Sequence, residues 1–159
     1  MNKKTEKGFT LIEILVVGII VSILAAVAVP RMGFKFSKNR LRSSTSSVTS
    51  MLYLARMKAV NDGEDYGVQF SESGEIDIVR DPYGTFELLA PTNRIEQDIN
   101  FVDITFVNWV PVFNAFGQLD KNCLPEGLLT GSVFLANDKG DTTHVEVNLV
   151  SGRIRETNL

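Results

Sequence analysis

The sequence predicts an α+β fold in which one long N-terminal helix packs on antiparallel β-sheets, and three observations predict it. Residues 9–29 form an apolar run whose only ionisable side chain is Glu13. Further on, Leu41, Val48, Leu52, Ala55 and Ala59 recur at intervals of seven, four, three and four, the spacing of one buried helix face. Asn61, Asp62 and Gly63 then supply a helix stop, after which apolar positions recur with period two.

Taken in order, segment 9–29 has twenty-one residues, and at 1.5 Å per residue a helix of that length spans roughly 30 Å, enough to cross a bilayer once. Residues 30–62 continue the helix as an amphipathic rod. Pro30 lacks the N–H that would bond back to Ala26, so a kink or a melted turn is expected there. The serine- and threonine-rich stretch 43–50 is weakly helical by composition, but the apolar spacing on both sides carries the helix through it. Residues 63–159 are expected to form an antiparallel β domain with seven strands, at 66–70, 75–80, 86–89, 99–107, 111–113, 128–136 and 144–150. Turn signals separate them, among them Ser73-Gly74, Asp81-Pro82-Tyr83-Gly84, Phe116-Gly117 and Asp138-Lys139-Gly140-Asp141. Sheets of this kind bury one face against the second half of the helix. Phe113 and Phe116 are read as core residues, and Gly117 and Gly152 as turn glycines.

Charge is distributed unevenly along the 159 residues. The formal net charge is −3, yet from residue 31 to 60 there are seven basic residues (Arg31, Lys35, Lys38, Arg40, Arg42, Arg56, Lys58) and no acid. From residue 61 onward six basic residues face seventeen acidic ones, a balance of −11. Cys123 is the only cysteine and His144 the only histidine, so no disulfide can form within the chain. No glycine-rich phosphate loop, metal-ligand spacing or nucleophile motif is present. The sequence therefore predicts no enzyme, no catalytic residue, no metal site and no cofactor.

The N-terminus carries the most specific motif. Residues 7–15 read KGFTLIEIL, a basic residue and a glycine ahead of a phenylalanine that opens the apolar run. A secretory signal places its cut after the apolar core, whereas the small-residue cut here, after Gly8, precedes it. A carboxylate at the centre of a membrane segment costs on the order of 2.5 to 3.5 kcal/mol on insertion scales, less near an end, so Glu13 needs a reason. It lies one helical turn from Phe9, where it could pair within its own chain or snorkel to the interface.

These residues resemble the leader of type IV pilins and type II secretion pseudopilins. The resemblance implies that residues 1–8 are a prepilin leader, that a prepilin peptidase cuts between Gly8 and Phe9, and that the new Phe9 amine is N-methylated. It implies that Glu13 meets the amine of a neighbouring subunit, and a proline at position 30 fits the same assembly pattern. Three body motifs narrow the resemblance to the GspH/FimT family and its pilin-like β-sandwich: LYLARMKAV at 52–60, VFNAFGQL at 112–119 and VEVNLVSGRIR at 145–155, in that family's order.

The function so implied is that of a structural minor pilin or pseudopilin of a type IV pilus or a type II secretion machinery. Its expected partners are other pilins in a helical filament, the prepilin peptidase, the inner-membrane assembly platform and inner-membrane lipid. The expected location is the bacterial inner membrane, single-pass, with a cytoplasmic N-terminus and a periplasmic β domain before filament entry. This orientation follows the resemblance, because the basic cluster beyond residue 29 opposes it under the positive-inside tendency. The alternative is a DNA-uptake pilin, since the resemblance extends to Gly152, Arg153 and Arg155 of a DNA-binding motif. Arginine forks suit phosphates, but the acidic balance and the adjacent Glu156 oppose this reading.

Overall fold

A computed structural model describes the backbone of residues 9–158 and the side chains of residues 9–26, 36–89, 93–157. Helix α1 runs from Leu11–Asp62, followed by eight strands: β1 Tyr66–Phe70, β2 Glu75–Arg80, β3 Glu87–Arg94, β4 Ile99–Ile104, β5 Val112–Phe113, β6 Thr130–Asn137, β7 Thr142–Asn148 and β8 Ile154–Asn158. Two 3-10 turns, Val107–Trp109 and Lys121–Cys123, flank β5. Met1–Phe36 and Ser37–Leu159 form separate units, and the β domain with its helical half lies in the second.

Two four-stranded sheets make up the β domain, in the orders β3-β2-β1-β5 and β4-β6-β7-β8. Every pairing is antiparallel. β6 and β7 alternate strictly between buried and half-exposed positions, as sheets with one covered face do. Leu41, Val48, Leu52, Ala55 and Ala59, the stripe read from the sequence, are all buried and join both sheets in one apolar core. Alanines at 55 and 59 leave no bulk between helix and sheet, so the backbones approach closely.

In the serine- and threonine-rich stretch 43–50, two buried hydroxyls find partners within the fold, whereas that of Thr49 has none. Ser44 and Thr45 are buried: the Ser44 hydroxyl accepts from the Glu96 N–H at 3.1 Å, and Thr45 donates to the Leu41 carbonyl at 2.8 Å. A buried hydroxyl with a partner costs far less than one without.

Several expectations change. Helix α1 is assigned without interruption through Pro30, so the melted turn is absent. One lost hydrogen bond is carried by the ladder on either side. β3 starts at Glu87 and continues to Arg94 beyond the expected end. It is an edge strand, where Pro91 is tolerated because one row of its backbone groups has no ladder partner. β4 ends at Ile104, because the following residues turn through left-handed Asn108 and Trp109. β6 begins two residues late, leaving Leu129 exposed. An eighth strand, β8, pairs with β7 from Val147↔Ile154 to Thr143↔Asn158.

Candidate assembly interface

At the N-terminus, Phe9 is 80% exposed, and the large apolar residues from Leu11 to Leu24 are exposed on every side of the helix. No single apolar stripe is covered, in contrast to residues 41–59. Thr10 caps α1: its hydroxyl accepts from the Glu13 N–H at 3.3 Å and its carbonyl from the same N–H at 3.1 Å. Thr10-Leu11-Ile12-Glu13 is thus a capping-box sequence, a signal that the sequence reading missed. Glu13 sits in the first turn, where a carboxylate also complements the helix dipole. Among the described residues no basic group pairs with Glu13.

Gly8 lies outside the described residues, as does the side chain of Pro30. Of the expected span 9–29, the side chains of residues 27–29 likewise lie outside the described residues. Among the described residues, no helix is long and apolar enough to cross a membrane.

The three body motifs meet at one residue. Arg56, on α1, donates from Nε to the Gly117 carbonyl at 2.8 Å and from a terminal nitrogen to the Ser151 carbonyl at 3.1 Å. It ties the β5 turn to the turn before β8. Gly152, at φ +60°, lies so close that an added Cβ would overlap the Gly117 carbonyl oxygen. Gly117, at φ +71°, has Val60 and Arg56 where a side chain would go. Sequence order alone did not show that these weak motifs form a single joint.

The same joint corrects one expectation. Phe113 is fully buried, but Phe116 is 83% exposed. The Asn114 side-chain oxygen accepts from the Phe116 and Gln118 N–H groups at 3.0 and 3.1 Å. Those bonds and the Arg56 contact fix the turn with the phenyl ring outward.

Arg153 and Arg155 are both exposed and share an open cleft of about 290 Å³ with Thr130, Glu146, Asn148 and Ser151. Arg155 faces Glu146 directly across the β7–β8 pair. Cys123 is buried, and its burial pushes the thiol up to about 11, so it carries no thiolate chemistry at neutral pH. His144 stacks on the Phe134 ring at 4.9 Å. Among the described residues no His, Cys, Asp and Glu cluster forms a metal-binding group.

Comparison with known proteins decides the family. Residues 3–29 match the model of the prokaryotic N-terminal methylation motif. A fimbrial protein of Pseudomonas aeruginosa is 31% identical over 110 residues, covering 57% of this chain and 71% of that protein. The chain belongs to the pilin family. Type II secretion system protein H of the same organism is 33% identical over 66 residues, covering 42% of this chain and 38% of that protein.

Two solved structures share the fold. The minor pseudopilin EpsH from the Type 2 Secretion System of Vibrio cholerae superposes with a TM-score of 0.58 at 11% identity, over 75% of this chain and 97% of that one. The type IV minor pilin FimU of Pseudomonas aeruginosa gives 0.56 at 15% identity, over 76% and 90%. With the ordered body motifs, these likenesses make the chain a GspH/FimT-like minor pilin or pseudopilin, a structural subunit with an α+β pilin fold.

Proposed function

We propose that this subunit enters a helical filament of a type IV pilus or a type II secretion machinery after processing at its N-terminus. A prepilin peptidase removes residues 1–8 by cutting between Gly8 and Phe9, and the Phe9 amine is methylated. Until extraction through the assembly platform, residues 9–29 hold the protein in the inner membrane, with the N-terminus cytoplasmic and the β domain, residues 63–159, periplasmic. Residues 30–62 join the two. In the filament, helices exchange lipid contacts for one another, and Glu13 pairs with the Phe9 amine of a neighbour.

The observation that carries this reading is the state of the first turn. Glu13 is exposed and, among the described residues, without a cationic partner, four residues from the place where cleavage would create an amine. A charge of this kind in an apolar segment is tolerable when a partner arrives. The test is Glu13→Ala in the full-length protein, which should insert as well as the parent and incorporate poorly into filaments. Normal incorporation, read by crosslinking to neighbouring subunits, would remove the carboxylate from assembly.

DNA uptake is the second reading, resting on the exposure of both Arg153 and Arg155. Glu146 opposite Arg155, Glu156 beside it and a domain balance of −11 work against phosphate binding.

A further inference from the structure

We propose that the outward face of α1 between residues 39 and 60 is a seam for a helix of a different filament subunit, one that brings a carboxylate to Arg42. The contact rests on the filament reading above. Positions 39, 43, 46, 50, 53, 57 and 60 recur at alternating intervals of four and three, and all seven are exposed. They lie on the side of the helix away from buried Leu41, Val48, Leu52, Ala55 and Ala59. A surface helix ordinarily places its charges there. This stripe carries none, and Lys38, Arg40, Arg42, Arg56 and Lys58 all fall beside it. Its second part is instead apolar, with Tyr53 45%, Met57 58% and Val60 51% exposed. Uncharged faces of this kind mark protein contacts, and methionine adapts its shape to a partner.

The geometry of the stripe fits a helix. Intervals that average 3.5 residues keep a seam straight against a second helix crossing at about 20°. Ser43, Ser46 and Ser50 are small enough for the two axes to approach to about 8 Å. An open trough of about 470 Å³ runs beside these serines and is closed on its flanks by Arg42 and by Asn93 of β3. An incoming strand finds nothing comparable, because a helix has already paired its own backbone groups.

Charge selects the partner. Lys38 meets Asp141 and Arg40 meets Asp98, whereas Arg42 is exposed and makes no ion pair among the described residues. Glu156 lines a second cleft with Arg42 but forms no ion pair with it. In paired helices such flanking charges set partner choice, so a carboxylate opposite Arg42 is favoured. A second copy of this chain is disfavoured. Its residues 31–60 hold seven basic groups and no acid, so two such helices would bring like charges together in either direction. A minor subunit surrounded by other pilins meets the requirement for an unlike helix.

The test uses the full-length protein in membranes that contain its own filament machinery. An aliphatic diazirine residue close to methionine in size replaces Met57, and the same residue at Asp138 on the β6–β7 hairpin is the control. Illumination should give a protein product at least about tenfold above control, with the linked peptide in a helix of a different chain that carries the N-terminal methylation motif. Ser46→Trp, which fills the seam at an exposed position, should return the product to the control level, and Arg42→Glu should lower it at least about fivefold. Reversing one carboxylate of the identified helix to lysine should restore the product with Arg42→Glu. An unchanged thermal midpoint of both variants shows that the fold is intact. A product at the control level, a link to a second copy or to lipid alone, or indifference to Ser46→Trp overturns the contact. An Arg42→Glu loss that no carboxylate reversal restores overturns the assigned partner. Mature chains beginning at Phe9 that give no product contradict this contact alone. Chains that keep their leader contradict the filament reading, and this contact with it.

Discussion

Arg56 holds two turns that belong to opposite sheets. Its two donated hydrogen bonds end on backbone carbonyls of residues 61 and 95 positions away, so one side chain closes two long loops. Charged hydrogen bonds of this kind contribute about 1.5–3 kcal/mol each. Arg56→Ala should destabilise the fold by about 2–4 kcal/mol, and Arg56→Lys should recover less than half, because an ammonium cannot reproduce the guanidinium fork. Gly152→Ala should cost at least about 3 kcal/mol, since overlap with the Gly117 carbonyl adds to left-handed strain. Gly127→Ala, at φ +86° with open space around it, should cost only about 1–2 kcal/mol. Denaturant unfolding of the detergent-extracted chain measures all four. Equal losses at Gly152 and Gly127 would mean that the joint is looser than the geometry requires. The sequence could not disclose this joint: Arg56 follows buried Ala55 in a basic stretch, and it reads as one more solvated cation. Phe116 was misread for the complementary reason. An apolar residue beside a glycine looks like core until the Asn114 turn shows which way the ring points.

Among the elements, α1 was the most legible, because its buried face repeats at helical spacing over five positions. β8 was the least legible. Ile154 is the only large apolar residue of IRETN, and the strand forms because β7 offers it five register partners. Thr10 went unread because the capping box lies inside the more conspicuous leader pattern. Removing that cap with Thr10→Ala should lower the stability of the first turn by about 1 kcal/mol, visible as faster amide exchange at the N-terminus of α1.

Elements of the β domain also set a pH response. The Arg80 guanidinium donates two hydrogen bonds to Glu64, at 2.6 and 2.9 Å, and holds its carboxyl below the ordinary range. The Asn137 amide, followed by Lys38, does the same for Asp141. Carboxylates lowered in the folded state contribute stability above the unfolded value, near pH 4, and lose it as pH falls through the folded value. Asp65 has the opposite sign: desolvation, then Asp120 and Asp81, raise it, so protonation favours the folded state there. Acid titration of stability should therefore show a loss below about pH 4 that Glu64→Gln and Asp141→Asn make shallower. Asp65→Asn should make the net loss steeper by removing the compensating group. At the alkaline end, the Asp62 carboxylate accepts from the Tyr66 hydroxyl at 2.5 Å and pushes that phenol up to about 12. Its contribution is intact below the ordinary phenol value near 10 and disappears as pH rises through about 12. Tyr66→Phe should flatten that branch.

On the scale of the whole molecule, a basic helical half and an acidic β domain are parts of one chain, and some of their charges are matched internally. Lys38 meets Asp141 at 3.5 Å and Arg40 meets Asp98 at 3.3 Å. The domain's acidic excess repels polyanions, so duplex DNA should bind no tighter than micromolar at physiological salt, and Arg153→Ala with Arg155→Ala should change little. An anisotropy titration at low and physiological salt measures this. Tight, salt-sensitive binding abolished by the double substitution would favour DNA uptake.

The central claim is that this chain is a processed filament subunit, and the most direct measurement is the intact mass of full-length protein extracted from membranes that contain the processing machinery. The account predicts a mature chain beginning at Phe9 and carrying one added methyl group, with Gly8→Val leaving residues 1–8 attached. A mature chain that starts elsewhere, or a parent protein that keeps its leader in such membranes, would contradict it.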